Sequence, residues 1–272
     1  MRLALSNKII LYLLLTLSAV ILFLPILFAF FMSFMGSQDA LLGKILPSHW
    51  TLENYEEAFR RLPLLRFLFN SVLISLMIMI GQLIFSSLAA YAFVFLKFKG
   101  RETLFFLFVA TMMIPFEASI IPNFQTIKAL NLIDTYPGLA LPFLATAFGT
   151  FLLRQTFKQI PIELREASEI AGKGHFKFYL TVVLPIAKSS LVTLGIYSFL
   201  SAWNMYLWPL LSTTNDQVRT VQIGLKELQS QEQVNQWGVV MAGAMVVAIP
   251  TLILLFIGQK KLQKGLAEGA LK

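Results

Sequence analysis

The sequence predicts an all-α integral membrane protein with six transmembrane helices. Of its 272 residues, 57% are hydrophobic and only 13% are charged, and the mean hydropathy is +0.73. In a soluble domain about a quarter of the residues are charged. In an open chain only helices cross a bilayer, because each backbone N–H and C=O must find its partner within its own segment. The composition therefore excludes a soluble domain.

Six apolar runs are each near or above the length that crosses a hydrocarbon layer of about 30 Å. The first run follows Arg2 and Lys8, as in a secretory signal, but its apolar core is much longer than the roughly 7–15 residues of such a signal. We therefore expect an uncleaved first span. The predicted spans of a single transmembrane domain, residues 1–272, are 9–35, 71–96, 104–123, 136–153, 189–211 and 238–258.

The lysine and arginine residues predict the orientation of these spans. With a cytoplasmic N-terminus, the inside segments hold 15 of the 22 basic residues and the outside segments hold 7. Cytoplasmic loops of membrane proteins collect such residues, so we expect both termini and the loop of residues 154–188 in the cytoplasm. The net charge of +8 is then mainly a consequence of topology and does not indicate a nucleic acid partner.

The sequence contains no motif for catalysis, metal binding or nucleotide binding. It has no cysteine, and its two histidines, His49 and His175, fall on opposite sides of the predicted membrane, where they cannot share a metal. The fragment Gly172-Lys173-Gly174 lacks the spacing and the hydroxyl of a phosphate-binding loop. If ATP drives this protein, another subunit must bind it.

Polar side chains form a stripe on the fifth predicted span. At about 100° per residue they fall within roughly 80° of one helix face. Such a wall favours a path for a hydroxyl-rich solute, in which asparagine offers hydrogen bonds and aromatic rings stack on a sugar. It is equally compatible with hydrogen bonds to a neighbouring helix. The stripe consists of Thr193, Tyr197, Ser201, Asn204 and Trp208.

Glu117 is the one acidic residue expected at membrane depth. A charge there is expensive, which indicates a function or a specific partner. The alternative interpretation is that Pro115 and Pro122 break the segment, so that Glu117 reaches the interface. The candidate substrate pathway consists of Glu117, Asn123, Tyr197, Ser201, Asn204 and Trp208.

A charged segment between the fourth and fifth spans predicts a short surface helix. Pro161 suits its first turn, Glu163 and Glu166 suit its positive end, and Gly172 can end it. An apolar edge would enter a groove on a partner while carboxylates pair with the partner's arginine or lysine. The apolar edge consists of Ile160, Leu164, Ala167 and Ala171, and the acidic edge of Glu163, Glu166 and Glu169.

The stretch from Glu166 to Pro185 resembles the EAA loop of binding-protein-dependent ABC importer permeases. This sequence has Glu-Ala-Ser-x3-Gly-x9-Val-x-Leu-Pro, and the family pattern is Glu-Ala-Ala-x3-Gly-x9-Ile-x-Leu-Pro, with the same spacing. Other segments are similar to the carbohydrate branch, specifically the shorter permease of the maltose-type pair. These are Met113-Ile114-Pro115, Pro122, Leu132-Ile133-Asp134-Thr135-Tyr136, Leu152-Leu153-Arg154-Gln155 and Ile160-Pro161-x-Glu163-Leu164.

The resemblance implies the type I ABC importer permease fold and alternating access in a bacterial or archaeal cytoplasmic membrane. Its implied partners are a second homologous permease, two cytoplasmic ABC ATPases that bind ATP and Mg, an extracellular solute-binding protein, membrane lipid and a sugar. This chain would then bind no cofactor and would not be an enzyme. The implied coupling residues are Glu163, Glu166, Ala167, Ser168, Glu169, Gly172 and Pro185.

Three positions depart from the family pattern. Ser168 replaces the third motif alanine, Ala171 replaces a frequent acidic residue before the glycine, and Ser189 replaces a common proline. The missing acid removes one expected contact to the ATPase, so Glu166 and Gly172 carry the family role most directly. The alternatives are a permease for a glycerol-phosphate-type solute, a secondary transporter of a polar solute, and a membrane enzyme or scaffold.

Overall fold

The computed structural model describes residues 5–230 and 236–270, with side chains described from residue 8 to residue 259 outside that gap. In this part of the chain the regular structure is helical apart from one isolated antiparallel bridge between Met35 and Trp50. The α-helices are α1 (Leu5–Ser33), α2 (Ser37–Leu41), α3 (Glu53–Arg61), α4 (Leu64–Phe95), α5 (Arg101–Ala110), α6 (Phe116–Ala129), α7 (Tyr136–Ala140), α8 (Ala147–Phe157), α9 (Ile162–Ile170), α10 (His175–Phe178), α11 (Leu184–Ile186), α12 (Lys188–Trp203), α13 (Leu207–Ser212), α14 (Val221–Ser230) and α15 (Trp237–Ala270). Short 3-10 turns cover Thr111–Met113 and Leu141–Phe143, and a π-helical turn covers Tyr179–Val183.

Three of the described helices are long and apolar enough to cross a membrane alone, namely Lys8–Ser33, Leu64–Phe95 and Trp237–Gln259. Three further pairs of helices qualify when each pair is taken together. If each bent pair is one span, the described residues contain six spans, which agrees with the predicted fold class. The pairs are Arg101–Met113 with Phe116–Ala129, bent by 99°, Tyr136–Phe143 with Ala147–Phe157, bent by 50°, and His175–Ile186 with Lys188–Trp203, bent by 79°.

Two of the bends fall inside predicted spans, between Met113 and Phe116 in the third and between Phe143 and Ala147 in the fourth, and the 79° bend falls at Ala187, just before the predicted fifth span. In the third span, Pro115 disfavours helical geometry at Ile114, which is extended with φ −86° and ψ 114°. In the fifth span, α12 ends at Trp203 and the chain resumes as α13. Pro209 has no N–H to donate to the carbonyl of Met205, so a continuous helix would lose that bond.

The chain forms two compact units, and the first comprises Met1–Leu65 and Gly224–Ile249. One of its described polar contacts is made by Asn54 in α3. The Asn54 side-chain amide donates hydrogen bonds to the carbonyl oxygens of Ser33 at 3.1 Å and Met35 at 2.8 Å. The amide thereby satisfies carbonyls at the end of α1 that no helical N–H can reach.

The second unit comprises Arg66–Ile223 and Pro250–Lys272 and contains both candidate sites. Two buried apolar clusters stabilise it, and α4 contributes residues from its second half to one and from its first half to the other. The first cluster consists of Ala90, Tyr91, Leu152, Leu153, Phe157, Ile160, Phe178, Tyr179, Val183, Ala187 and Leu194. The second consists of Ile74, Ile78, Ile127, Leu139, Ala140, Ala202, Trp208 and Val218.

Candidate functional site

The surface helix predicted between the fourth and fifth spans is α9. Pro161 precedes it with φ −57° and ψ 136°, and the helix then runs from Ile162 to Ile170. Glu163 lies in the first turn, where a carboxylate interacts favourably with the positive end of the helix dipole. Pro161 therefore occupies the N-cap position, immediately before the first turn, whereas the sequence predicted it within the first turn.

α9 ends in a Schellman motif at Gly172. The N–H of Gly172 donates to the carbonyl of Glu169, and the N–H of Lys173 donates to the carbonyl of Ser168, both at 2.9 Å. This pair of bonds requires a left-handed residue after the C-cap, and Gly172 has φ +68°. Glycine adopts that conformation without steric cost, which explains why glycine stands at position 172.

The solvent-facing surface of the loop combines acidic and apolar side chains. Glu163, Glu166 and Ala167 are exposed, and Ile170 is 88% exposed. Ile160, expected on the apolar edge, is instead buried in the core because it precedes the helix. Clustered exposed apolar groups mark interaction surfaces, so this surface suits a partner with a groove and basic groups. The exposed apolar side chains are Ile162, Leu164, Ile170 and Phe176.

The remaining predicted coupling residues have other surroundings. Ser168 is buried, and its hydroxyl has no hydrogen-bond partner among the described residues, so the motif alanine would be easier to bury there. The Glu169 carboxylate accepts a hydrogen bond from Arg165 Nε at 2.6 Å. Pro185 is exposed in α11, and the 79° bend follows at Ala187.

Arg165 belongs to a cluster that the sequence analysis did not single out. Its Nη1 lies 2.8 Å from His175 Nδ1 and 3.2 Å from Tyr91 Oη. The spacing of Arg165 and Glu169 is typical of an ion pair on one helix face, so this part of the cluster was accessible from the sequence. The contact with Tyr91 joins residues in different helices and leaves no pattern in a single sequence.

The second candidate site is a cavity of about 380 Å³ beside α12. The rings of Tyr197 and Phe148 lie at its wall with centroids 4.6 Å apart. Its volume is in the range of small-molecule sites, which are mostly apolar with a few placed polar groups. None of its lining residues carries a charge, so they offer no strong ligand for a metal ion. They are Phe148, Leu152, Thr193, Tyr197, Leu200, Ser201 and Asn204.

α12 directs its interhelical hydrogen bonds elsewhere. Ser198 is buried and donates to Gln82 Oε1 at 2.6 Å, and the hydroxyls of Ser190 and Thr156 are 2.8 Å apart. Such bonds hold neighbouring membrane helices together. The polar residues of this span therefore divide into a packing set and the set that lines the cavity.

Trp208 does not line the cavity, so the expectation of one five-residue stripe is wrong. The break after Trp203 removes Trp208 from the helix face that carries the other four residues. Trp208 is fully buried, with its ring centroid 6.3 Å from that of Phe116 and 6.0 Å from that of Phe143. In the structure, Trp208 packs against these two aromatic rings.

Glu117 and Asn123 lie on α6 and are not among the residues that line the cavity. Glu117 is exposed in the first turn of α6, immediately after the 99° bend. Asn123 is half-buried one to two turns later. The structure therefore does not bring these two predicted pathway residues together with those of α12.

Near the start of α4 lies a polar network around Asn70, which is fully buried. Its Nδ2 donates to the carbonyl oxygens of Gln217 and Arg219, both at 2.9 Å. Its Oδ1 accepts a hydrogen bond from Tyr136 Oη at 2.8 Å. A buried amide that satisfies two loop carbonyls fixes the path of that loop.

Asp134 fixes the same loop from another side. Its carboxylate accepts hydrogen bonds from the backbone N–H groups of Thr214 at 2.6 Å and Asn215 at 3.3 Å, and from the Thr214 hydroxyl. Burial raises the pKa of Asp134, but these hydrogen bonds outweigh it and hold the pKa below the ordinary value of 3.8. The segment from Leu132 to Tyr136, conspicuous in the sequence, therefore has a structural role.

Up to six apolar spans among the described residues, an exposed helix and an uncharged, mostly apolar cavity with a few polar groups are the features of a multi-pass membrane permease. The chain belongs to the family of binding-protein-dependent transport system inner membrane components, whose sequence profile matches residues 82–267. The matched region contains α9 and every residue that lines the cavity. The resemblance to ABC importer permeases is confirmed, and the chain is a permease subunit of such an importer.

Relatives and a solved structure agree with this assignment. The chain is 37% identical over 271 residues to the sn-glycerol-3-phosphate transport system permease protein UgpE of Agrobacterium fabrum, covering 96% of each chain. It is 36% identical over 267 residues to UgpE of Brucella abortus, covering 94% of this chain and 95% of that one. A chain of a bacterial ABC transporter involved in alginate import has a TM-score of 0.87 and 24% identity, covering 96% of this chain and 99% of that one. The two chains share the fold.

Proposed function

We propose that this chain lines half of a membrane path for a neutral, hydroxyl-rich solute, a di- or oligosaccharide. The cavity beside α12 supports the proposal, because it combines aromatic rings with polar groups and no charge. Tyr197 and Phe148 offer flat apolar surface to a sugar ring. Ser201 and Asn204 are exposed beside them, where a hydroxyl and an amide can exchange hydrogen bonds with sugar hydroxyls.

The proposed assembly contains a second homologous permease, two cytoplasmic ABC ATPases and an extracellular solute-binding protein. The ATPases bind ATP and Mg, and this chain binds no cofactor. One ATPase receives α9, and the other receives the corresponding helix of the second permease. Glu166 pairs with a basic group of the ATPase while the exposed apolar side chains enter its groove. The distribution of basic residues supports a cytoplasmic position for both termini and for α9 in a bacterial or archaeal membrane.

Glycerol phosphate is the second candidate solute. The names of the relatives from Agrobacterium and Brucella favour it. A phosphate group is bound most strongly by arginine or lysine, and the lining of this cavity contains neither. In that case the partner permease supplies the cation, and this chain contacts only the glycerol hydroxyls.

Uptake by the reconstituted transporter separates the two solutes. Vesicles containing the complete complex are supplied with radiolabelled maltose or with sn-glycerol-3-phosphate. We expect accumulation of maltose, and Tyr197→Ala raises its KM about tenfold through loss of stacking, equivalent to about 1.4 kcal/mol. Phe69→Ala, an exposed aromatic residue outside the cavity, is the matched control. Exclusive uptake of sn-glycerol-3-phosphate selects the second candidate.

Coupling is tested separately with Glu166→Ala and Gly172→Pro. Each variant is expected to insert into the membrane normally but to lose uptake per ATP hydrolysed. The carboxylate change removes an ion pair with the ATPase, and proline cannot adopt the φ of +68° at Gly172. Co-purification in mild detergent measures association with the ATPase. Normal uptake by both variants, or wild-type protein that brings down no ATPase, contradicts the proposed coupling.

A further inference from the structure

The covalent chain connects α9 directly to only some of the helices of its unit. α8 precedes it, and α10 to α12 follow it. α4, a 32-residue helix and candidate membrane span, is not adjacent to α9 in the sequence, because α5 to α8 lie between them. Apart from this long connection, a displacement of α9 reaches α4 through noncovalent contacts.

Arg165 provides such contacts from the middle of α9. Its Nη1 lies 3.2 Å from Tyr91 Oη near the end of α4, and 2.8 Å from His175 Nδ1 at the start of α10. Its Nη2 lies 3.1 Å from His175 Nε2. The guanidinium carbon is 5.4 Å from the centroid of the Phe178 ring, within the range of a cation–π interaction. One side chain thus contacts α4, α9 and α10.

The cluster is held in place on both sides. The Arg165 side chain is only 12% exposed, and the Glu169 carboxylate orients its Nε. Tyr91 is buried in the core, and its hydroxyl also donates to the carbonyl oxygen of His175 at 3.0 Å. A planar guanidinium with several fixed donors holds its partners in one geometry better than a flexible ammonium does.

We propose that Arg165 is a positioning residue that makes the end of α4 move together with α9. The inference rests on the proposed coupling role of α9 and adds a second helix that receives its motion. Without the guanidinium, α9 still meets the ATPase through its exposed face, and α4 stays packed on α10 through the ring of Phe178. What is lost is the direct contact between α9 and α4, so α4 follows α9 less closely. The ATPase then turns over while α4 lags behind.

A distance measurement tests the connection itself. The chain has no cysteine, so Lys99→Cys, shortly after α4, and Lys173→Cys, directly after the end of α9, accept a pair of spin labels. In the complete complex we expect one narrow distance distribution, both without nucleotide and with ATP and vanadate. Arg165→Ala is expected to lose that single narrow peak. An unchanged distribution in Arg165→Ala overturns the proposal.

Functional coupling gives a second readout. Arg165→Ala is expected to retain the ATPase and its hydrolysis rate but to lose maltose or sn-glycerol-3-phosphate uptake per ATP about tenfold, the contribution of a charge-assisted hydrogen bond. Tyr91→Phe removes only the hydroxyl and keeps the buried ring, so it replaces Arg165→Ala as the test variant if Arg165→Ala folds poorly. Arg165→Lys restores part of the loss. Lys158→Ala, an exposed cation at the end of α8, is the control.

The double variant decides between a connection to α4 and a direct contact with the ATPase. If Arg165 acts through Tyr91, Arg165→Ala with Tyr91→Phe loses no more than Arg165→Ala alone. Additive losses, or loss of the ATPase from Arg165→Ala in co-purification, overturn the proposal. Failure of the wild-type chain to bring down any ATPase contradicts the proposed function instead, and the spin-label distances still report on the connection.

Discussion

The two ends of α4 fix neighbouring loops in different ways. Asn70 and Tyr91 are 21 residues apart in the sequence, which corresponds to about 30 Å along a helix. At the first end, Asn70 satisfies the backbone carbonyls of Gln217 and Arg219. At the second end, the Tyr91 hydroxyl donates to one backbone carbonyl, that of His175, and also contacts the side chains of Arg165 and His175. The first end fixes the loop that contains Gln217 and Arg219. The second end fixes the inner side of the segment that contains α9, whose outer side remains exposed to a partner.

This difference has an energetic basis. A buried amide that satisfies backbone carbonyls is expensive to remove, because those carbonyls lose their partners away from water. The contacts at the end with Tyr91 join side chains of separate helices through the guanidinium of Arg165, which is only 12% exposed and holds its partners in one geometry. The end at Asn70 is therefore built for stability, and the end at Tyr91 is suited to transmit a displacement. Beside α9, Ile170 is 88% exposed and Phe176 is 68% exposed, so that end keeps an apolar surface available to a partner.

The largest expected effect is that of Asn70→Ala. The substitution leaves two loop carbonyls and the hydroxyl of Tyr136 without their partner, so we expect a loss of about 2–3 kcal/mol in the free energy of unfolding. The melting temperature of the purified chain in detergent measures it. Gln125→Ala, which removes an exposed amide from α6, is the control. Equal stability of the two variants contradicts the proposed difference between the ends of α4.

A smaller and local effect is expected for Gly172→Ala. Alanine at φ +68° costs about 1–2 kcal/mol, and the cost falls on the end of α9 rather than on the core. Hydrogen exchange of the amides of Gly172 and Lys173 is expected to accelerate while the melting temperature stays unchanged. Gly174→Ala is a close control, since Gly174 has φ −65° and open space around its Cα. Equal exchange in the two variants refutes the Schellman requirement.

The smallest effect is expected for Asp134→Asn. The amide keeps the shape of the side chain but accepts hydrogen bonds from Thr214 more weakly, which costs about 1 kcal/mol. Because the folded-state pKa of Asp134 is lowered from 3.8, its contribution is fully present above that pH and is lost as the pH falls through the folded pKa. Melting temperatures between pH 3 and pH 7 measure this difference.

The control for this pH dependence is Asp216→Asn. Asp216 pairs with Arg219 at the surface, with its side chain 53% exposed, and exposed pairs contribute little. The gap in melting temperature between wild type and Asp134→Asn is expected to narrow as the pH approaches 3. A constant gap at all pH values argues against a charged Asp134 as the group that holds this loop.

Sequence reasoning reached the fold class and α9 because both depend on local signals. Long apolar runs identify spans, and the bounds of α9 follow from Pro161 and Gly172. It missed the break of α12 after Trp203, because Pro209 acts on a carbonyl four residues earlier and the apolar run continues through both. It therefore assigned Trp208 to the cavity face, whereas the structure buries this residue against Phe116 and Phe143.

The sequence by itself determined that the chain enters a membrane, that its spans are helical and that a charged helix ends at Gly172. Each of these follows from composition or from the conformational preferences of neighbouring residues. Only the tertiary structure decided which polar groups meet. Phe148 reaches Tyr197 from another helix, and Tyr91 reaches Arg165 across 74 positions of sequence. Such contacts depend on how bent helices pack, and helix packing is set by the whole buried surface rather than by any local pattern.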